Sequence, residues 1–162
     1  LMEPSLNVLG HPLDTCSCDP NTGWYRDGKC NTDENDRGSH TVCCVVTKEF
    51  LEFAKSQGND LMTPAPQFSF PGLKPGDSWC VCARTWLAAL NAGKGCPIDL
   101  EATHQKALLI VPLELLETTL FESYQLDLEH EKAHDGPYNQ TPSQHVGYPK
   151  QAQCASLLVC KQ

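Results

Sequence analysis

The chain lacks any apolar run long enough to cross a membrane. Its longest, Ala107 to Leu113, is seven residues, against the roughly 20 that a spanning helix needs. It lacks a basic stripe as well. Twelve Lys and Arg against 20 Asp and Glu leave a net charge of −8, with nothing to displace counterions from a phosphate backbone. Neither a nucleic acid nor a membrane is expected as a partner. No Cys-x-x-Cys pair occurs anywhere, which removes the strongest zinc-knuckle and thioredoxin-type signals. No basic start followed by an apolar block opens the sequence, so a secretion signal is not expected and a reducing, cytoplasmic compartment is.

What is present is a chain of 162 residues, 40% hydrophobic and 20% charged, enough for one domain with a real core. Its first forty residues are dense in turn formers: "CDPNTGWYRDGKCNTDENDRGSH" sets Pro20, Gly23, Gly28 and Gly38 among Asp and Asn. Trp24 and Tyr25 are expected to anchor this region to the core. "HTVCCVVT" reads as a central strand, with Cys43 and Cys44 on opposite faces. Thr47 caps a helix "KEFLEFAKSQ" that carries Phe50, Leu51 and Ala54 on one stripe and stops at Gly58. A proline-punctuated loop leads to the turn Lys74–Asp77 and then to "SWCVCA", an alternating strand, and "RTWLAALNAG", a helix; Trp79 to Leu90 also fits one longer helix. "PIDLEA" reads as a strand, Thr103 as the cap of "HQKALLIV", and Pro112 as the start of "PLELLETTLF". The expectation is an α+β domain over residues 1–121, with a small mixed sheet, three or four helices and a long ordered N-terminal loop region. Residues 122–162 then form an appended extension whose "CASLLVCKQ" is a candidate edge strand.

Several blocks are similar to a bacterial family known only as domain of unknown function 2237. They are "NVLGHPL", "DPNTGWYRDGKCNT", "GSHTVC", "FLEFAKSQGNDLMTP", "FPGLKPGDSWCVCA" and "LEATHQKAL" with the following "VPLELL". They lie in order from Asn7 to about Leu120. The resemblance implies a compact α+β domain and no particular reaction. The family pattern often lacks cysteine at the positions of Cys18 and Cys44, so a site needing either would be peculiar to this chain.

Ten cysteines and six histidines supply the candidate chemistry. Cys16, Cys30, His40, Cys43, Cys80 and Cys82 offer the soft and imidazole ligands that a tetrahedral zinc site requires. On a straight strand, however, Cys80 and Cys82 project roughly 7 Å apart, which is wide for one ion. Buried structural thiols are the plain alternative, and a Cys16–Cys30 disulfide another. A reactive thiol is the third: Cys82 precedes a helix near Arg84, and Cys16 or Cys30 would need His40 or His104 beside it. The loops add a candidate pocket with Arg26, Asp60 and Asp77 as ligand-binding groups and Glu101 and His104 as catalytic ones. His130-Glu131-Lys132-Ala133-His134 has the letters of a zinc-protease helix. Its charged neighbours, the Gly136-Pro137 stop and the 11-residue step to His145 favour a solvated segment instead.

Three functions follow as expectations. The first is a cysteine/histidine-rich protein that binds zinc or carries a reactive thiol. The second is a binding module with structural cysteines and a protein partner. The third is an enzyme on a small polar metabolite. The oligomeric state is not legible in the sequence.

Overall fold

A computed structural model of the chain describes residues 4–120 and position 129. The expected segments at His130–His134 and at 154–162 lie outside the described residues. The core element is an antiparallel pair, β1 (Val42–Val45) and β2 (Ser78–Val81), in the register Val42↔Val81, Cys43↔Cys80, Cys44↔Trp79. Period-two alternation gives its two faces different neighbours. Val42, Cys44, Trp79 and Val81 join the large apolar cluster, whereas Cys43 and Cys80 join a second, small one with Cys30 and Ala102.

Helix α1 (Lys48–Ser56) starts on Thr47, whose hydroxyl accepts the Phe50 N–H at 3.1 Å. That contact satisfies one of the four orphan amides of a helix start. Phe50, Leu51 and Ala54 are buried, as their spacing predicts. Helix α2 (Ala83–Asn91) buries Trp86, whose indole N–H donates to Cys96 O at 3.0 Å. Strand β2 therefore stops at Val81 and Cys82 takes the N-cap position, so the shorter-helix reading of this segment is the one observed. After a 3₁₀ turn at Gln105–Leu109, a short helix α3 (Leu113–Leu116) follows Pro112.

Four expectations change. Among the described residues the ladder is two-stranded and antiparallel rather than mixed. "PIDLEA" does not form a strand: Pro97 and Asp99 hydrogen-bond to β1 around one bridge, Cys44↔Ile98, and Ile98 also bridges Leu120. The chain then coils into a 3₁₀ turn at Leu100–Ala102, because Pro97 has no N–H to extend a ladder. Thr103 does not cap the next turn. Its hydroxyl donates to Asp99 O at 2.7 Å and accepts from Cys43 N, and His104 is the cap. Trp24 and Tyr25 do not enter the core: they stand 43% and 46% exposed.

Residues 4–41 contain turns and isolated bridges but no helix. Asn7 fixes their start. Its Oδ1 accepts from Leu9 and His11 N–H, and its Nδ2 donates to Glu101 O at 3.0 Å. Among the described residues, no helix is long and apolar enough to cross a membrane.

Candidate functional site

The cysteine set divides in two. Cys43 and Cys80 sit opposite each other, and each amide points away from the ladder: Cys43 N–H to the Thr103 hydroxyl, Cys80 N–H to the Thr22 hydroxyl at 3.0 Å. That makes them a non-hydrogen-bonded pair, the type whose side chains approach most closely. Each is joined to the N-terminal region, in the disulfides Cys16–Cys43 and Cys30–Cys80. The alternative of a Cys16–Cys30 disulfide gives way to two cross-links to the strands. The sulfurs of Cys16, Cys30 and Cys80 lie within 4.8 Å of one another, but each is covalently spent. His40 and Cys82 stand outside that convergence. Cys18 is disulfide-bonded too.

Cys44, Cys82 and Cys96 are free thiols. Cys96 donates to Cys44 Sγ at 2.7 Å inside the apolar core, and burial pushes the Cys96 thiol well up, with its Cys44 contact adding to the effect. Both are buried, whereas Cys82 is half-buried and lines a cleft of about 920 Å³. The aromatic lining includes Trp24, Phe68, Phe70 and Trp79; Arg26, His40 and Asp60 supply polar groups. The loops at 21–26 and 59–70 build it together with Trp79–Val81 of β2 and the α2 N-cap Cys82.

His40 is held by Asp36. Its Nδ1 lies 2.6 Å from Asp36 Oδ1, and its backbone N–H donates to Oδ2 at 2.9 Å. Oδ2 also accepts the Thr32 hydroxyl at 2.9 Å. The Asp36 side chain is fully buried, whereas the imidazole is 39% exposed. A carboxylate on Nδ1 fixes the tautomer with the proton there and leaves Nε2 as acceptor. The Trp24 ring stacks on the imidazole at 6.0 Å and 13°. On the other side, Gly38 leaves room: a Cβ there would come 2.7 Å from His40 Cε1. Ala83 N–H donates to Ser39 O at 3.0 Å. The residue after Cys82 is thereby tied to the residue before His40.

The other candidates are distributed as follows. Arg26 lies in the cleft with its guanidinium 5.2 Å over the Trp79 ring. Asp60 is on the same cleft, but its carboxylate accepts from Met62 N, Thr63 N and the Thr63 hydroxyl, which hold it below the usual carboxylate range. Asp77 closes its turn on Lys74, accepting from the backbone N–H at 3.0 Å and from Nζ at 3.1 Å. Glu101 and His104 do not line the cleft. Glu101 faces Asn7 and His11. His104 is buried, accepts Lys106 N–H on Nδ1, and is held below its ordinary pKa by burial and then by the Lys106 charge. Asp36 was not among the expected site residues. Its position four before His40 in a turn-rich loop carries no periodic meaning, so only the folded geometry shows the pair. Near the rim, Tyr25 OH donates to Asp33, which pushes the phenol up to about 12 and holds Asp33 low.

Residues 6–120 match the family described as "Uncharacterized protein conserved in bacteria (DUF2237)". The chain belongs to this family. The match ends at residue 120, so residues 121–162 lie beyond it and are consistent with an extra C-terminal tail. No curated protein matches the chain.

Proposed function

We propose that this DUF2237 chain carries a reactive thiol, Cys82, that works on a small molecule bound in the aromatic cleft. The observation that carries the reading is the His40–Asp36 contact. A buried carboxylate orients an accessible imidazole in the same cleft as Cys82, and Cys82 is not buried as Cys44 and Cys96 are. Thiol catalysis is built from these three groups, a nucleophile, a base and an orienting acid; His40 and Asp36 are in contact, and Cys82 lines the same cleft. In this reading the Cys82 S–H proton passes to His40 Nε2, Asp36 stabilises the imidazolium, and the sulfur lone pair attacks a carbonyl carbon of the ligand, whose C=O π pair moves onto the oxygen and takes the proton back from the imidazolium. All three residues fall in the family-matched part. The binding-module reading is the limit of this one in which the thiol stays idle.

Timed labelling of the native protein with iodoacetamide, mapped by peptide, tests it. Cys82 is expected to react at least about tenfold faster than Cys44 or Cys96, and H40Q to slow it by a similar factor. Labelling of Cys82 only after unfolding would defeat the proposal.

The convergence of three sulfurs within 4.8 Å favours a second reading, confined to the reduced chain. With both disulfides opened by a dithiol, Cys16, Cys30 and Cys80, with Cys43, become candidate ligands for one zinc ion. Elemental analysis of anaerobically reduced protein tests this: about one zinc per chain is expected after reduction and none before, and no zinc in either form would end it.

A further inference from the structure

Arg26 occupies the cleft at a backbone angle that arginine rarely takes, φ +55°. Both its ends are fixed. Its N–H donates to Gly23 O at 3.0 Å, its Nη1 donates to the same oxygen at 2.7 Å, and the guanidinium lies over Trp79. The side chain is half-buried, and burial lowers its pKa below the ordinary guanidinium value, a cost that an anion beside it would offset.

No carboxylate among the described residues lies within ion-pair distance of Arg26. The acids close to it in sequence or in the cleft are engaged elsewhere. Asp27 accepts Lys29 N–H, Asp33 holds Tyr25, Asp36 holds His40, and Asp60 holds its own turn. In a chain of net charge −8, a placed arginine with no acid beside it among the described residues offers a site for one. Its planar fork retains donors after the Gly23 contact, in the geometry that suits a carboxylate. A phosphate dianion fits less well, because the cleft lining includes no second Lys or Arg and does include Asp60. The same lining carries exposed aromatic surface: Trp24 and Phe68 stand 43% and 63% exposed.

We infer that the cleft binds a small carboxylate with a planar apolar body, its carboxylate on Arg26 and its body against Trp24 and Phe68. The inference rests on the cleft being the working site and names the class of ligand that the thiol would meet. Phenylacetate and its neutral isostere phenylacetamide are the probes, titrated by tryptophan fluorescence and ligand-observed NMR in wild-type and C82S protein. Phenylacetate is expected to bind about tenfold more tightly than the amide in both, with an advantage that shrinks as salt rises. R26Q is expected to bring the two probes within about twofold, and R26K to keep part of the preference. Melting curves check that each variant is folded, and R26K decides if R26Q is not. Equal binding of acid and amide, a preference that survives both arginine substitutions, or no saturable binding of either probe up to roughly 20 mM would overturn it. A preference retained in C82S while Cys82 proves unreactive would leave the ligand class standing and sink the thiol reading alone.

Discussion

Cys43 and Cys44 are neighbours in the chain, yet one side of the strand pair treats sulfur as a cross-link and the other treats it as apolar filling. Cys43 faces Cys80, and both reach out to the helix-free N-terminal region through disulfides. Cys44 faces the helices and meets Cys96 as a buried free thiol. One residue of pleat separates the two roles. The cross-linked side has little apolar surface of its own: Cys30, Cys43, Cys80 and Ala102 form its whole buried cluster. A region of turns cannot bury enough side chain to offset its ordering entropy, so covalent closure substitutes for a core there. The opposite side, with Phe50, Leu51 and Trp86 fully buried, needs no such help.

That contrast can be broken most sharply at the disulfides. They close sequence separations of 27 and 50 residues, which the chain-entropy estimate converts to about 3.5 and 4 kcal/mol. Removing Cys30 and Cys80 together as alanines should therefore cost slightly more in a urea titration than removing Cys16 and Cys43. On the other side, C44A and C96A each leave a cavity of about one sulfur atom and should cost about 1–2 kcal/mol. If the thiol pair proves as costly as a disulfide, the two sides do not differ as described. Neither C44A nor C96A should alter the labelling rate of Cys82.

A smaller effect is expected at Gly38. An added Cβ would crowd His40 Cε1 at 2.7 Å, and the ring would yield by loosening its Asp36 contact, while Asp36 keeps the Thr32 hydroxyl and the His40 N–H. G38A should thus slow Cys82 labelling several-fold while changing stability by less than about 0.5 kcal/mol. Smallest is a pH effect at His104. Its folded pKa is depressed below 6.5, so the unfolded chain takes up the proton first as pH falls. The stabilisation is complete above about pH 6.5 and is lost as pH drops through that value toward the lower folded one. H104N keeps an acceptor for Lys106 N–H but does not titrate, and its melting temperature should vary less than wild type between roughly pH 7 and pH 5.

Local pattern made the framework legible. The alternation in "HTVCCVVT", the Thr47 cap and the stripe of Phe50, Leu51 and Ala54 each depend on residues a few positions apart, and each is present in the fold. What failed was set at long range. "PIDLEA" has strand composition, but Pro97 and the course of the chain toward Leu120 limit it to one bridge. Trp24 and Tyr25 look like core residues by type; the cleft, which no local pattern encodes, keeps them at the surface. Of the residues named as ligands, Cys16, Cys30 and Cys80 bring their sulfurs within 4.8 Å of one another, but as members of disulfides. Which sulfur bonds to which depended on the cross-strand register of Cys43 and Cys80, and Asp36 beside His40 depended on a turn with no periodicity.

The most direct test of the account is a double-mutant cycle on the native labelling rate of Cys82, using D36N, H40Q and the double variant. If Asp36 acts only through His40, each single substitution should slow labelling by about tenfold and the double should be no slower than H40Q alone. Independent, multiplying effects, or rates equal to wild type in all three, would contradict it.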